Sequence, residues 1–511
     1  MKELKENLRT MKSYATADTA NAEGFAAWTP SDVTLLEQFS MTGSLGNSFY
    51  ADSKETTKEA AALLERADAN DLAAAIVRGR NDGFIRSFPI LGLVYLSMKD
   101  TALFNETLGK VVLTGNDLED FIEMAKAIRG LGRSIKRTVC EWIKKNTTTY
   151  YAQKYRRQLA DAIRLVRFKG EDSIYSYILA AYKNVKGNTD EKLERAYREY
   201  PDLAAQRDFV AAIESGDTEK AHSILAEKDV EVNSLTALYG KFDMALWASV
   251  AAKSPVMRYL KYMGKFCQEG VLDEGTLKSK INVEALRKAK VFPFRLYAAY
   301  GAIKWKLQKD APWALEYLAK VIDEYAARYD WREFDVGDWV VAPDVSGSMS
   351  SPIGGSSSLT YATLSAMFCG FFIKGINRVK VIPWDTEVHA YDVPADKPVL
   401  EHIHAIESMV GGGTYMETAV RHMLSHSVKA DYAVFLTDTE EYGRGWLAAW
   451  KEYHKKNPDA VAFILRGDSY VSQPIDYRTA KELNVYQIFG WNDSVIDYIK
   501  FIIRQLKNEK Q

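Results

Sequence analysis

The sequence predicts a body of α-helical repeats followed by a doubly wound α/β domain, and three observations carry this. From Ser53 to about Trp331 the chain reads as helix after helix, rich in Ala, Leu, Glu, Lys and Arg, with short Gly, Asn, Asp or Pro breaks. Near Phe334 the pattern changes to short apolar runs alternating with helical stretches. At 511 residues with 47% hydrophobic and 26% charged residues, the chain is long enough for two to four packed domains, and neither disorder nor a collagen-like fibre fits.

In the first part, amphipathic spacing predicts helices over Thr56 to Ala67, Asp71 to Arg78, Asp117 to Ile128, Ser173 to Val185 and Lys220 to Ala226. No run alternates as a strand. Helix pairs about every 40 residues fit a degenerate helical solenoid, which makes large curved surfaces. Residues 1–52 form a separate polar stretch rich in small residues, expected to run extended along the helical body.

The net charge of −1 hides a segregation. Residues 1–125 hold 12 basic and 19 acidic side chains, whereas residues 126–169 hold 13 basic and 2 acidic. Within that window Lys126, Arg129, Arg133, Lys136, Arg137 and Lys144 fall in an arc of about 100° when 100° is allowed per residue. Ile128, Leu131, Ile135, Val139 and Trp142 take the opposite arc of about 80°. Gly130 and Gly132 are candidates to split this helix, with a second one starting near Arg133. Only Glu141 interrupts the stretch, so the usual i,i+4 acidic partners are missing and the cations repel one another. A polyanion relieves such repulsion, which favours nucleic acid over an ordinary solvated face. Arg156, Arg157, Arg164 and Arg167 extend the patch, with Tyr150, Tyr151 and Tyr155 interleaved, suited to base stacking or to the core. A thinner basic set runs from Lys278 to Lys306 and includes Lys290, with Glu284 as its lone acid.

In the second part, strands are expected at Asp338 to Asp344, Val379 to Trp384, Ala433 to Leu436 and Ala460 to Leu465. Helices at Leu359 to Ile376, Tyr415 to His426, Trp446 to Lys455 and Asp493 to Leu506 alternate with them. In a doubly wound sheet, ligands bind at the carboxyl ends of the strands, and three polar clusters fall there. They are Asp344-x-Ser346-x-Ser348, Gly411-Gly412-Gly413-Thr414 and Thr437-Asp438. Two carboxylates and three hydroxyls make a hard oxygen site of low formal charge, which suits Mg²⁺ or another divalent cation.

This arrangement resembles the metal-ion-dependent adhesion site of von Willebrand factor A domains. The resemblance assigns metal binding to Asp344, Ser346, Ser348, Thr414 and Asp438, with an open coordination position for a partner's carboxylate. A helical body followed by such a domain resembles the Ro 60 kDa ribonucleoprotein family, a TROVE module with an A domain. Local matches are Gly46-Asn47-Ser48-Phe49-Tyr50, Arg80-Asn81-Asp82, Gly130-Leu131-Gly132-Arg133 followed by Lys136-Arg137, Lys154-Tyr155-Arg156, Pro293-Phe294-Arg295 and Asp344 to Met349. The resemblance implies a ring of HEAT-like repeats over residues 1–335 and an A domain over 336–511. It further implies small structured Y-like RNA on the basic outer surface and single-stranded ends of misfolded RNA in the hole, in RNA quality control or ribonucleoprotein scaffolding. A protein such as an exoribonuclease would dock on the A domain. Arg133, Lys136 and Arg137 inherit RNA contacts. The family tends to have His residues downstream of this helix and before Pro-Phe. Here Arg164 and Arg167 stand in the first stretch and Phe292 in the second.

The competing reading is a protein-assembly scaffold that uses metal-dependent docking without RNA. Catalysis is not expected. His422 and His426 stand four apart on a helix with no intervening Glu, and no elbow motif supplies Ser346 or Ser348 with a base. Three scattered cysteines, Cys140, Cys267 and Cys369, exclude a disulfide framework, and no signal peptide or membrane span is visible, so a cytoplasmic protein is expected.

Overall fold

In the computed structural model the described residues are 19–21, 26–42, 45, 53–83, 85–183, 185, 187–289, 291, 293–328, 337–352, 359–442, 445–467, 473–490 and 493–509. The Gly46 to Tyr50 match, Lys290 and Phe292 lie outside them.

The helical part runs from Ser53–Arg66 to Pro312–Ala327 as a succession of short helices that pack on neighbours in sequence and on helices further along. Local chemistry sets many of their ends. Asp68 caps Ala69–Asn81 by accepting from the Asn70 and Asp71 amides, and Thr114 with Asp117 forms a capping box on Gly115–Ile128. Asp117 does more than cap. Its carboxylate, 1% exposed, takes Arg80 at 2.9 Å and Arg86 at 2.8 Å, tying its helix to the end of Ala69–Asn81 and the start of Ser87–Lys99. The stretch expected to be extended departs from that expectation. It holds a small ribbon, β1 (Thr19–Ala20) paired with β2 (Ala26–Ala27), and a helix at Asp32–Thr42 whose Leu35, Leu36 and Phe39 are buried.

The C-terminal domain is a five-stranded parallel sheet of β3 (Trp339–Pro343), β4 (Val379–Val381), β5 (Tyr432–Leu436), β6 (Val461–Arg466) and β7 (Val485–Phe489), in the order β4-β3-β5-β6-β7. Alternation along β3 divides its two cores. Trp339 and Val341 face one side with Phe372 and Ile403, while Val340 and Ala342 face the other with Trp384, Phe435 and Trp450. The first of these cores is continuous with that of helices 209–326, so one face of the sheet is shared with the helical body.

Both ends of the helical array meet this domain. At the start, helix Asp32–Thr42 packs near β7, and Trp28 exchanges two backbone hydrogen bonds with Gln473, of 3.1 and 3.0 Å. At the end, helix Pro312–Ala327 packs on Tyr361–Gly375 and Val399–Glu407. There Asp323 accepts from the Val399 amide at 2.9 Å and pairs with Lys374 at 3.3 Å. A helical array that starts and ends on one domain is a ring closed through that domain. No helix among the described residues is long and apolar enough to cross a membrane.

Candidate metal centre and nucleic-acid interface

The three polar clusters converge at the carboxyl edge of the sheet. Asp344 follows β3 and is fully buried. One of its oxygens accepts from the Ser346 amide at 2.8 Å and the other from the Thr437 hydroxyl at 2.6 Å. The Ser346 and Ser348 hydroxyl oxygens lie 3.3 Å apart. The glycine loop is zipped to this turn, the Gly411 amide donating to Val345 O (2.8 Å) and the Gly347 amide to Gly412 O (3.1 Å). Gly412 sits at φ +60°, and a Cβ there would meet an Asp385 carboxylate oxygen at 2.5 Å, so both conformation and space demand glycine. The loop carries Thr414, 1% exposed, whose carbonyl accepts from the Tyr442 amide at 2.8 Å. Asp438 follows β5, with the Ser348 hydroxyl against its carboxylate. Next to it Thr439, a β-branched residue, is held at φ +62°, a strain of the kind found at functional sites.

Burial pushes the Asp344 carboxyl up to about 8, and the neighbouring Asp438 charge adds to the rise. Burial raises Asp438 as well, opposed by the Ser348 hydroxyl. Two desolvated carboxylates that destabilise each other, ringed by hydroxyls, are a donor set a hard divalent cation relieves. Asp344, Ser346, Ser348 and Asp438 are brought together directly, and Thr414 through the loop zipper. Among the described residues no group of three or more His, Cys, Asp or Glu side chains gathers as an alternative metal cluster. Nothing in the sequence pointed to Asp385, which sits behind Gly412 with an oxygen 2.9 Å from His389 Nε2, or to Arg466, whose buried guanidinium lies 3.5 Å from Asp438 O. Arg466 gave no signal because it ends an apolar strand and reads as loop.

The basic stripe lies on two helices rather than one. Gly115–Ile128 ends with Gly130 at φ +77°, and Arg133–Asn146 begins after Gly132. Ile135, Val139 and Trp142 are buried as the period requires, but Ile128 is 42% exposed. The break interrupts the helical phase, so the residues before it follow a different buried set, Leu118, Phe121, Ile122 and Ala125. Lys126, Arg133, Arg137, Lys144, Arg157, Arg164 and Arg167 are exposed, and Lys136 and Arg156 are half-buried. Arg129 is spent internally, donating to the Ser97 hydroxyl at 2.8 Å and to Ser97 O. Among these ten cations and the described residues, only Arg164 has a carboxylate in ion-pair reach, Asp161 at 3.6 Å. Elsewhere the surface pairs its charges, as in Arg195 with Glu199 and Lys265 with Glu269. The thinner basic set is partly neutralised too, Lys278 by Glu274 and Arg287 by Glu284. Of the three tyrosines, Tyr155 is core, Tyr151 donates to Leu113 O, and Tyr150 is exposed beside Lys154.

Residues 338–501 match the family model described as the Ro60 vWA domain. In structure the chain is similar to the solved Ro (RSR) protein of Deinococcus radiodurans, with a TM-score of 0.65 at 17% identity, over 93% of this chain and 100% of that one. The C-terminal domain thus matches the model of the Ro60 vWA domain, and taken whole the chain has the fold of the Deinococcus protein.

Proposed function

We propose that the chain is a non-catalytic, cytoplasmic RNA-binding protein of the Ro type. It takes small structured, Y-like RNA on its basic outer surface and single-stranded ends of misfolded RNA in the ring, in RNA quality control or ribonucleoprotein scaffolding. The observation that carries this reading is the unneutralised stripe: of the twelve Lys and Arg residues from Lys126 to Arg167, eleven have no carboxylate in ion-pair reach among the described residues. Repulsion left in place along one face is relieved by a polyanion and by little else in the chain. The acid and hydroxyl cluster supports the second element of the reading, a divalent cation, Mg²⁺ by its hard oxygen donors, held by Asp344, Ser346, Ser348, Thr414 and Asp438. When bound, such an ion offers a coordination position to a carboxylate of a docking protein, such as an exoribonuclease. The chain's own part is to keep the two acids dry, to hold Asp344 through the Ser346 amide and Thr437 hydroxyl, and to fix Thr414 through the glycine loop.

Filter binding of a structured RNA with a single-stranded end, run across a salt series, tests the RNA reading. The triple variant Arg133→Glu, Lys136→Glu, Arg137→Glu is expected to lower the slope of log K against log salt by about 2 to 3. Unchanged affinity and slope would remove the stripe from the interface. A scaffold that uses the A domain alone, without RNA, predicts no nucleic acid in material purified at low salt.

A further inference from the structure

His422 and His426 stand four apart at the end of helix Glu417–Ser425, and neither the basic stripe nor the acidic edge of the sheet uses them. The helix buries Ala419, Val420 and Met423 in the core on the side of the sheet away from the helical body. Arg421 pairs with Glu452 of the following helix at 3.4 Å, which fixes the backbone from the other side. At i and i+4 the two imidazoles leave one face of this helix as neighbours. His422 is half-buried and His426 exposed, and their rings lie face to face, 21° from parallel with centroids 4.1 Å apart.

Other histidines answer to a carboxylate from another segment or loop position: His222 lies 3.1 Å from Asp243, and His389 lies 2.9 Å from Asp385. The rings of His422 and His426 make no hydrogen bond or ion pair to another segment among the described residues. His426 Nδ1 is 3.2 Å from His422 O and 3.0 Å from Ser425 Oγ. A carbonyl oxygen only accepts, so Nδ1 carries the proton and the Nε2 lone pair is left free. Metal-binding imidazoles are oriented in this way, with one nitrogen donating to a backbone carbonyl and the other facing the ion. Burial, with the charges of His426 and Lys380, pushes the His422 imidazole down, so that ring also keeps a lone pair at neutral pH.

The spacing fits a shared ion. Two nitrogens on one tetrahedral Zn²⁺, each at about 2.0–2.1 Å, stand roughly 3.4 Å apart. The stacked rings are already near that spacing, so small side-chain rotations bring one nitrogen of each onto a common centre. The pair also sits at the carboxyl end of its helix, where the backbone dipole favours a cation. Lys380, whose charge bears on His422, is exposed, so solvent and salt screen its repulsion. Imidazole nitrogens select zinc, copper or nickel, whereas the hydroxyl and carboxylate oxygens at the sheet edge select magnesium.

We propose that His422 and His426 form a two-ligand site for a late first-row divalent cation of the Zn²⁺ type, with water in its remaining positions, distinct from the oxygen site at the sheet edge. The experiment is calorimetric titration of ZnCl₂ into the full chain, free of any histidine tag and stripped with EDTA, in excess Mg²⁺ so that the sheet edge is masked. The variants are His422→Gln, His426→Gln and the double change, with thermal melts to confirm folding. Changing a group that merely orients a ligand costs about 10–100-fold in metal affinity, and removing a ligand costs no less. Each single variant is therefore expected to weaken Zn²⁺ at least about tenfold, and the double variant to abolish the site. Electron paramagnetic resonance of the Cu²⁺-loaded chain is expected to show coupling to two imidazole nitrogens in wild type and to one in each single variant. His426 is exposed, so its variant keeps the test decisive if His422→Gln does not fold. Zinc affinity in His426→Gln equal to wild type overturns the proposal. So does zinc that excess Mg²⁺ displaces, which belongs to the sheet edge, and so does a wild type that takes up no zinc.

Discussion

Glu441 shows how much the edge of the sheet asks of single side chains. It is 4% exposed, three residues past Asp438, and accepts from the Trp446 amide at 2.8 Å. Burial pushes its carboxyl up to about 8, with the Glu417 charge adding to the rise. A carboxyl raised in the folded state favours folding at low pH. That contribution is complete below the ordinary value of 4.5 and is lost as pH climbs through about 8. Glu441→Gln keeps an acceptor for Trp446 and removes the titration. Its thermal midpoint is therefore expected to exceed wild type little at pH 5, increasingly up to pH 8, and by a constant several degrees above that, for a full effect on the order of a few kcal/mol. A difference that does not vary with pH in paired melts would contradict the assignment. The residues of the polar cluster were legible because Asp-x-Ser-x-Ser and Thr-Asp each follow a strand and Gly-Gly-Thr sits in a loop before a helix. Glu441 was not, because nothing local shows that its carboxylate turns inward.

At the scale of elements, helix Arg133–Asn146 separates packing from charge cleanly. Trp142 is 4% exposed and donates its indole N–H to Val112 O at 2.8 Å, so Trp142→Ala is expected to cost about 3–5 kcal/mol in urea unfolding. Lys136→Ala, on the other face, is expected to fall within about 0.5 kcal/mol of wild type. If the two variants lose similar stability, the helix is not oriented as described. The periodicity of this helix is readable because its apolar and cationic residues keep one phase for four turns. The helix expected over Ser173 to Val185 is shorter in the structure. The helix there is Ile174–Leu179, and side chains from elsewhere take its last carbonyls, Asn188 bonding Ser176 O at 3.0 Å and Arg156 bonding Tyr177 O at 2.8 Å. A helix stopped by distant donors carries no stop signal of its own. Likewise β7 was not anticipated, because Tyr486 and Gln487 leave an edge strand with no clean alternation.

At the scale of the molecule, closure is the property that joins the two parts. Asp323 is the polar clasp at one end, bonding the Val399 amide and Lys374, and Trp28 with Gln473 is the clasp at the other. Asp323→Ala leaves a donor of the Val399–Glu407 helix without its acceptor and Lys374 without its carboxylate. Calorimetry is expected to show the helical array and the sheet domain unfolding less cooperatively, with the transition broadened or split, while the melt of Lys320→Ala on the exposed side of the same helix stays as in wild type. A sharp, unshifted transition for Asp323→Ala would show that the shared apolar core closes the ring unaided.

The sequence by itself determined the fold class, the order of the two parts, the polar clusters at the sheet edge and the position of the basic window. Each of these is written in short-range form: a period, a motif after a strand, a local excess of charge. Tertiary structure alone decided that the ring closes through the C-terminal domain and which cations stay without acids. These depend on partners such as Trp28 with Gln473, or Arg156 with Tyr177, and no local pattern encodes the meeting of residues that only the folded chain brings into contact.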